Sequence, residues 1–285
     1  MTADRHYPPE GRQMKVFISI DLEGITGVCA EEETDPGGPG YPEACAAMRA
    51  DLDAALEGCF SAGATSVVVC DAHAAGHNLR ATGLPDHVAL VGSSPWSLDM
   101  MSGLDGSFDA ALFVGYHARA GTAAAVLEHT LFYKVFAITM AGMEIGEFGL
   151  NAMLAGHFGV PCAFISGDDK AVAEARALVP DVGTATVKMS LGRTCTEALS
   201  PAATARLIKE AVQAALVAKL PAPLTWPGTP LQAIFARTHH CDAAATQCGT
   251  RRLDGRTIEI AGASYLEVFR TLVASLQMAG SAGPP

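Results

Sequence analysis

Two carboxylates spaced two residues apart, Asp21 and Glu23, close the segment Lys15 to Gly24, KVFISIDLEG. Side chains alternate along a strand, so both acids project to one side and Leu22 to the other. Like charges held that close repel unless a cation lies between them or one takes up a proton. Metal binding is the chemistry this points to, and a solvated loop pair is the plainer reading. Nitrogen donors follow two further apolar runs. SVVVC, Ser66 to Cys70, leads into Asp71-Ala72-His73, and AALFVGY, Ala110 to Tyr116, leads directly into His117. Either histidine alone reads as an ordinary hydrogen-bonded side chain, but three strands each ending on potential ligands is the strongest physical signal in the chain.

Glu147 adds a carboxylate in the first turn of a predicted helix, a position the helix dipole also favours. Imidazole nitrogen combined with carboxylate oxygen suits zinc, and also manganese or iron, whereas calcium and magnesium rarely choose imidazole. The candidates Asp21, Glu23, His73, His117 and Glu147 exceed what one tetrahedral zinc takes, so two metals sharing a carboxylate is the natural arrangement. Asp21 is well placed for that bridge, although spacing does not decide it. His129, in VLEHTLF, is a spare imidazole for acid–base work or for steadying an oxyanion, or else a loop histidine. Asn151, four residues after Glu147 on the same helix face, could orient Glu147 or touch substrate. Asp168 and Asp169 precede a helix that at least one of them caps. H-E-x-x-H, G-x-S-x-G and a Walker A loop are absent from the sequence, which removes the common zincin, α/β-hydrolase and P-loop readings.

The elements that must position these groups can be read from apolar runs and their punctuation. Val16 to Ile20 is a buried strand whose carboxyl end is where open α/β sheets place ligands. The spacing predicts a loop over 25–41, a helix over 42–62 stopped at Gly63, and strands at 66–70 and around Val88. It further predicts a short helix near Trp96 to Met101, a strand over 110–116, and an extended run over 131–140. A helix from 144 or 146 to His157, a strand at 162–166 and a helix over 170–178 follow. After a strand at TATVKM, Ser200 and Pro201 start a long amphipathic helix to Lys219. A proline-rich link, strands at 231–236 and 257–261, and a helix over 264–278 complete the chain. The expected fold is α/β: a mostly parallel sheet flanked by helices over 14–190, holding the metal donors, with a smaller α+β lobe over 191–285. That lobe packs on the first or serves assembly, and residues 1–13 are expected to be a disordered extension.

Composition narrows the function classes. The 285 residues are 49% hydrophobic and 17% charged, enough apolar material for a sizeable core. A formal charge of -11 argues against nucleic acid and anionic membrane surfaces. No apolar run approaches a membrane span, and MTADRHYPPEGRQ has no apolar signal region. The eight cysteines are scattered without zinc-finger or redox spacing. A cytoplasmic protein with reduced thiols is the expectation.

Taken as a set, the motifs SIDLEG, DAHAAGHN, GYHARAGT, EHT, GEFGLNAMLAG and SGDDKAVAEA, in this order, resemble the D-aminopeptidase (DppA-type) family of zinc peptidases. The likeness runs from about Met14 to near Met278, through VKMSLGR and LSPAATARL. The resemblance implies a binuclear site, two zinc ions per subunit, held by Asp21, Glu23, His73, His117 and Glu147, with a catalytic role for His129. It implies hydrolysis of short peptides bearing amino-terminal D-residues, in the manner of D-Ala-D-Ala, by a zinc-activated hydroxide. It also implies a ring-like homodecamer whose chamber limits access. A different amidohydrolase or L-peptidase on the same scaffold, and a non-catalytic peptide-binding ring, are the alternatives.

Overall fold

The computed structural model describes residues 13–92 and 98–283. The amino-terminal extension lies outside the described residues apart from Gln13, as does the start of the helix expected near Trp96. In chain order the elements are β1 (Met14–Ile20), α1 (Glu31–Thr34), α2 (Tyr41–Ser61), β2 (Ala64–Asp71), β3 (Val88–Val91), β4 (Ala110–Tyr116), β5 (Val135–Met140), β6 (Met143–Glu144) and α3 (Glu147–His157). They continue with β7 (Cys162–Asp168), α4 (Asp169–Leu178), β8 (Gly183–Gly192), β9 (Cys195–Ala198), α5 (Pro201–Val217), β10 (Leu231–Phe235), α6 (Thr238–Ala244), β11 (Thr250–Arg252), β12 (Thr257–Ile260) and α7 (Tyr265–Ser281). A 3₁₀ turn covers Asp99–Met101.

The first sheet has the order β3-β2-β1-β4-β7-β8-β9, parallel throughout except for β9, which returns antiparallel along β8. Its central strands are covered on both faces, which is why β1 reads as a continuous apolar run rather than an alternating one. Val16, Ile18 and Ile20 face one core, filled by Met48 and Leu52 of α2 and Ile208 and Val212 of α5. Phe17 faces the other core, shared with Phe113, Phe148 of α3 and Phe269 of α7. Burying each such side chain contributes about 1.5–3 kcal/mol, and the alternation fixes which way the residues beyond β1 point. Asp21 continues the odd-numbered side, towards α3.

A second, antiparallel sheet, in the order β11-β12-β10-β5-β6, covers that side. The two sheets interleave along the chain. β5 and β6, before residue 190, complete the second sheet, whereas β9 and α5, after it, belong with the first. Five short elements lie where none was expected, β6 and β9 of two and four residues among them. α1 sits inside the stretch predicted as loop, β11 (TRR) is too polar and short to show strand periodicity, and α6 has only seven residues. Asp168 caps α4 by accepting from Ala171 N–H, and Ser200 caps α5 through Ala203 N–H. Among the described residues, no helix is long and apolar enough to cross a membrane.

Candidate metal centre

The carboxyl ends of β1, β2 and β4 meet the amino end of α3 at one point. Beyond β1 the chain stays on β4, with Asp21 N–H donating to Val114 O (2.9 Å) and Gly24 N–H to Gly115 O (2.8 Å). This crossing explains the glycine of D-L-E-G. A Cβ on Gly24 would lie 2.1 Å from Tyr116 O, and one on Gly115, whose φ is +70°, would lie 2.4 Å from Asp21 O. On the far side of the loop, buried Lys188 from β8 donates to the carbonyls of Glu23 (2.6 Å), Ile25 (2.9 Å) and Val28 (2.5 Å). After β2, Asp71 accepts from Asn78 N–H, Asn78 Nδ2 and Leu79 N–H at 2.7–2.8 Å. It is therefore spent on shaping the loop that presents His73.

All five candidate donors converge here, each at most 8% exposed. His73 Nδ1 lies 2.9 Å from Glu23 Oε2 and 3.3 Å from Asp21 Oδ1. His117 Nε2 lies 3.4 Å from Asp21 Oδ2 and 3.2 Å from Glu147 Oε2. Two clusters with metal-binding spacing result, Asp21/Glu23/His73 and His117/His129/Glu147. Asp21 stands between them, one oxygen towards each histidine.

The ring nitrogens facing away settle the tautomers. His73 Nε2 lies 2.8 Å from Thr34 O, at the end of α1, and His117 Nδ1 lies 2.9 Å from Ala118 O. A carbonyl only accepts, so those nitrogens carry the protons, an arrangement typical of metal-ligating histidines. The neutral rings then aim lone pairs at carboxylate oxygens, which is repulsive unless a cation intervenes. Among the described residues, His117 Nε2 and Glu23 Oε2 are buried at ion-pair distance from these neighbours but in hydrogen-bonding geometry with none. The donor set thus fits a pair of divalent ions.

Without such ions, protons must do the same balancing. Burial depresses the His73 imidazolium, but the charge of the adjacent Glu23 and the hydrogen bond to Asp21 outweigh it and push its pKa up to about 12. His117 is likewise raised, burial being outweighed by Glu147. Burial would raise Glu23 and Glu147, yet His73 and His117 respectively hold them below the usual carboxylate range. Asp21 is pushed up to about 7, by burial first and then by Glu23. Such opposed shifts in one cluster mark a functional site.

His129 lies at the edge of this cluster. Its ring stacks on His117 at 4.1 Å between centroids and 11° between planes, and the Tyr133 ring lies against it at 4.5 Å, tilted by 32°. Nδ1 donates to Leu127 O (2.9 Å), leaving Nε2 3.8 Å from Glu147 Oε1. Burial, then the neighbouring His117, lowers its pKa, so at neutral pH the ring is uncharged with a free lone pair on Nε2. Glu147 Oε1 also accepts from Leu131 N–H (2.6 Å). Asn151, by contrast, makes no hydrogen bond to Glu147 among the described residues, and reaches the cavity lining only through Met100 Sδ (3.4 Å). Its Nδ2 donates to Tyr116 Oη (3.0 Å), which in turn meets Ser19 Oγ (2.7 Å) beneath the site.

The donors open into a cavity of about 780 Å³. Its lining includes the acidic Glu31, Glu32 and Asp35, from α1 and its end, and Leu131, Phe132 and Lys134. Lys188, Tyr133 and the Thr34 carbonyl escaped the sequence reading, since nothing in spacing reveals a partner so distant in the chain. A lysine inside the apolar strand pattern of TATVKM was the available clue for the first.

A model of the D-aminopeptidase family matches residues 14–274. A D-aminopeptidase of Bacillus subtilis (strain 168) is 34% identical over 269 residues, 93% of this chain and 98% of that protein. A solved structure, the Zn-dependent D-aminopeptidase DppA from Bacillus subtilis, a self-compartmentalizing protease, superposes with a TM-score of 0.91. It is 33% identical, and the match covers 95% of this chain and all of that one.

Proposed function

This chain belongs to the D-aminopeptidase family, and we propose that it is a zinc aminopeptidase that removes an amino-terminal D-residue, D-Ala for example, from short peptides. The observation that carries the reading is the pair of donor clusters joined at Asp21, with His117 Nε2 and Glu23 Oε2 buried and, among the described residues, in hydrogen-bonding geometry with no neighbour. Asp21, Glu23 and His73 would hold one zinc ion and Asp21, His117 and Glu147 a second. Bound zinc lowers the pKa of a coordinated water and polarises a carbonyl.

The chain's own groups do the rest. Thr34 O and Ala118 O fix the tautomers of His73 and His117. His129, neutral and with Nδ1–H committed to Leu127 O, takes the proton of the attacking water at Nε2 and delivers it to the leaving amine. The resulting imidazolium, stacked beside His117, also steadies the tetrahedral oxyanion. Acidic Glu31, Glu32 and Asp35 in the lining attract the substrate's α-ammonium group, and the cavity has the volume for a peptide of a few residues. The eight free thiols, Cys195 and Cys248 exposed among them, support a reducing compartment such as the cytoplasm. The described relative is a self-compartmentalizing protease, which supports assembly of this chain as a ring-like decamer.

Metal content by plasma mass spectrometry, with D-Ala-D-Ala and L-Ala-L-Ala hydrolysis on the same preparation, tests the reading. About two zinc ions per chain with D-selective cleavage is expected. Metal with L-selective cleavage would overturn the substrate, and a chain purified without chelators yet lacking metal would overturn the mechanism. His129→Ala should retain its zinc and lose about 10²–10⁴-fold in kcat.

A further inference from the structure

The segment that presents His129 is bent into a conformation side chains avoid. Ala124, Leu127 and Leu131 have φ of +53°, +47° and +61°, left-handed values that persist only where surrounding contacts over-determine them. Much of that determination comes from one residue in the turn between β8 and β9. Arg193 O accepts from Leu127 N–H (2.9 Å). Its guanidinium Nη1 donates to Glu128 O (2.7 Å) and pairs with Glu128 Oε1 (3.0 Å), and Nη2 donates to Glu31 Oε1 (3.0 Å). The guanidinium also lies 5.7 Å from the centroid of Tyr133, the ring that packs against His129. Leu127, whose N–H is held by Arg193, is the residue whose carbonyl holds His129 Nδ1. Arg193 thus grips the two residues before the imidazole and the aromatic ring packed against it, and does not line the cavity or pair with any of the five donors.

We propose that Arg193 is a positioning residue for His129, fixing the imidazole against His117 through Leu127, Glu128 and Tyr133. The inference rests on the catalytic reading of His129. It is tested in the zinc-loaded full chain by kcat, KM and bound zinc for Arg193→Ala, Arg193→Lys, His129→Ala and the double variant His129→Ala/Arg193→Ala. Arg193→Ala should keep its zinc and lose about 10–100-fold in kcat, the scale set by a misplaced catalytic group. Arg193→Lys, with one compact donor in place of a planar fork, should recover part of that loss. In the His129→Ala background the same change should leave kcat where it was, because there is no imidazole left to position. Amide exchange over residues 124–131 of the metal-free chain should quicken in Arg193→Ala. Full kcat in Arg193→Ala, an equal fold-loss in both backgrounds, unchanged exchange, or zinc lost in step with activity would each overturn the proposal while leaving His129 its role. Full turnover in His129→Ala would remove that role and the proposal with it.

Discussion

Asp21 has two oxygens and two histidines to serve, 3.3 Å and 3.4 Å away. In the metal-free protein, His73 and His117 are kept protonated by Glu23 and Glu147 despite their burial. Zinc must displace those protons. The sign follows: a folded-state pKa raised to about 12 on His73 means that metal-free protein binds more protons at neutral pH than the loaded form. Zinc affinity should therefore rise with pH between 6 and 8, and binding should release protons. Calorimetry in two buffers of different ionisation enthalpy measures this, and a binding heat independent of buffer would contradict it. Asp21, Glu23, His73 and His117 were legible as donor types at the ends of apolar runs, Glu147 from the first turn of a helix and His129 as a spare imidazole, and the chain does bring them together. The residues that orient them were not legible. Thr34 contributes a backbone carbonyl, Tyr133 a ring and Arg193 a fork from a distant turn, and none of these roles constrains sequence spacing.

At the scale of elements, the parallel sheet was readable because both its faces are covered, which writes an unbroken apolar run into β1, β2, β4 and β7. Caps were readable where a side chain does the capping, as at Asp168 and Ser200. β9, β11 and α6 were not, since each is short and partly exposed and owes its form to its neighbours. Lys188 shows how one strand disciplines a loop elsewhere. Three carbonyls at 2.5–2.9 Å need three N–H donors, which only the ammonium form has. Its pKa, lowered by burial to about 8, still leaves that form dominant at neutral pH. Lys188→Met would strand all three acceptors in the interior, at about 1–3 kcal/mol each. A fall in Tm of about 10 °C is expected by calorimetry, together with weaker zinc binding as the Glu23 loop loosens. An unchanged Tm would show that the loop is held by other means.

The whole molecule joins two sheets through a shared core, with Phe17 and Phe113 of the first facing Ile138 and Phe235 of the second. Large apolar side chains remain exposed on the β5–β6 hairpin and the loop before it, Phe136 at 60% and Met143 at 57%. Leu191 on β8 (63%) and Val217 at the end of α5 (54%) are exposed as well, and apolar exposure of this extent fits the proposed assembly. Sedimentation at micromolar concentration should therefore give an assembly several times the mass of one chain, and a monomer across that range would refute the ring.

The interleaving of the sheets also has a consequence for how the protein is made. β5 leaves the ribosome long before β10, its partner in the middle of the second sheet. At roughly 5–20 residues per second, the delay is on the order of ten seconds. Until β10 emerges, the edge of β5 that pairs with it in the folded protein has no partner strand. The nascent chain is thus most open to strand pairing with a neighbour on the same message between the emergence of β5 and that of β10.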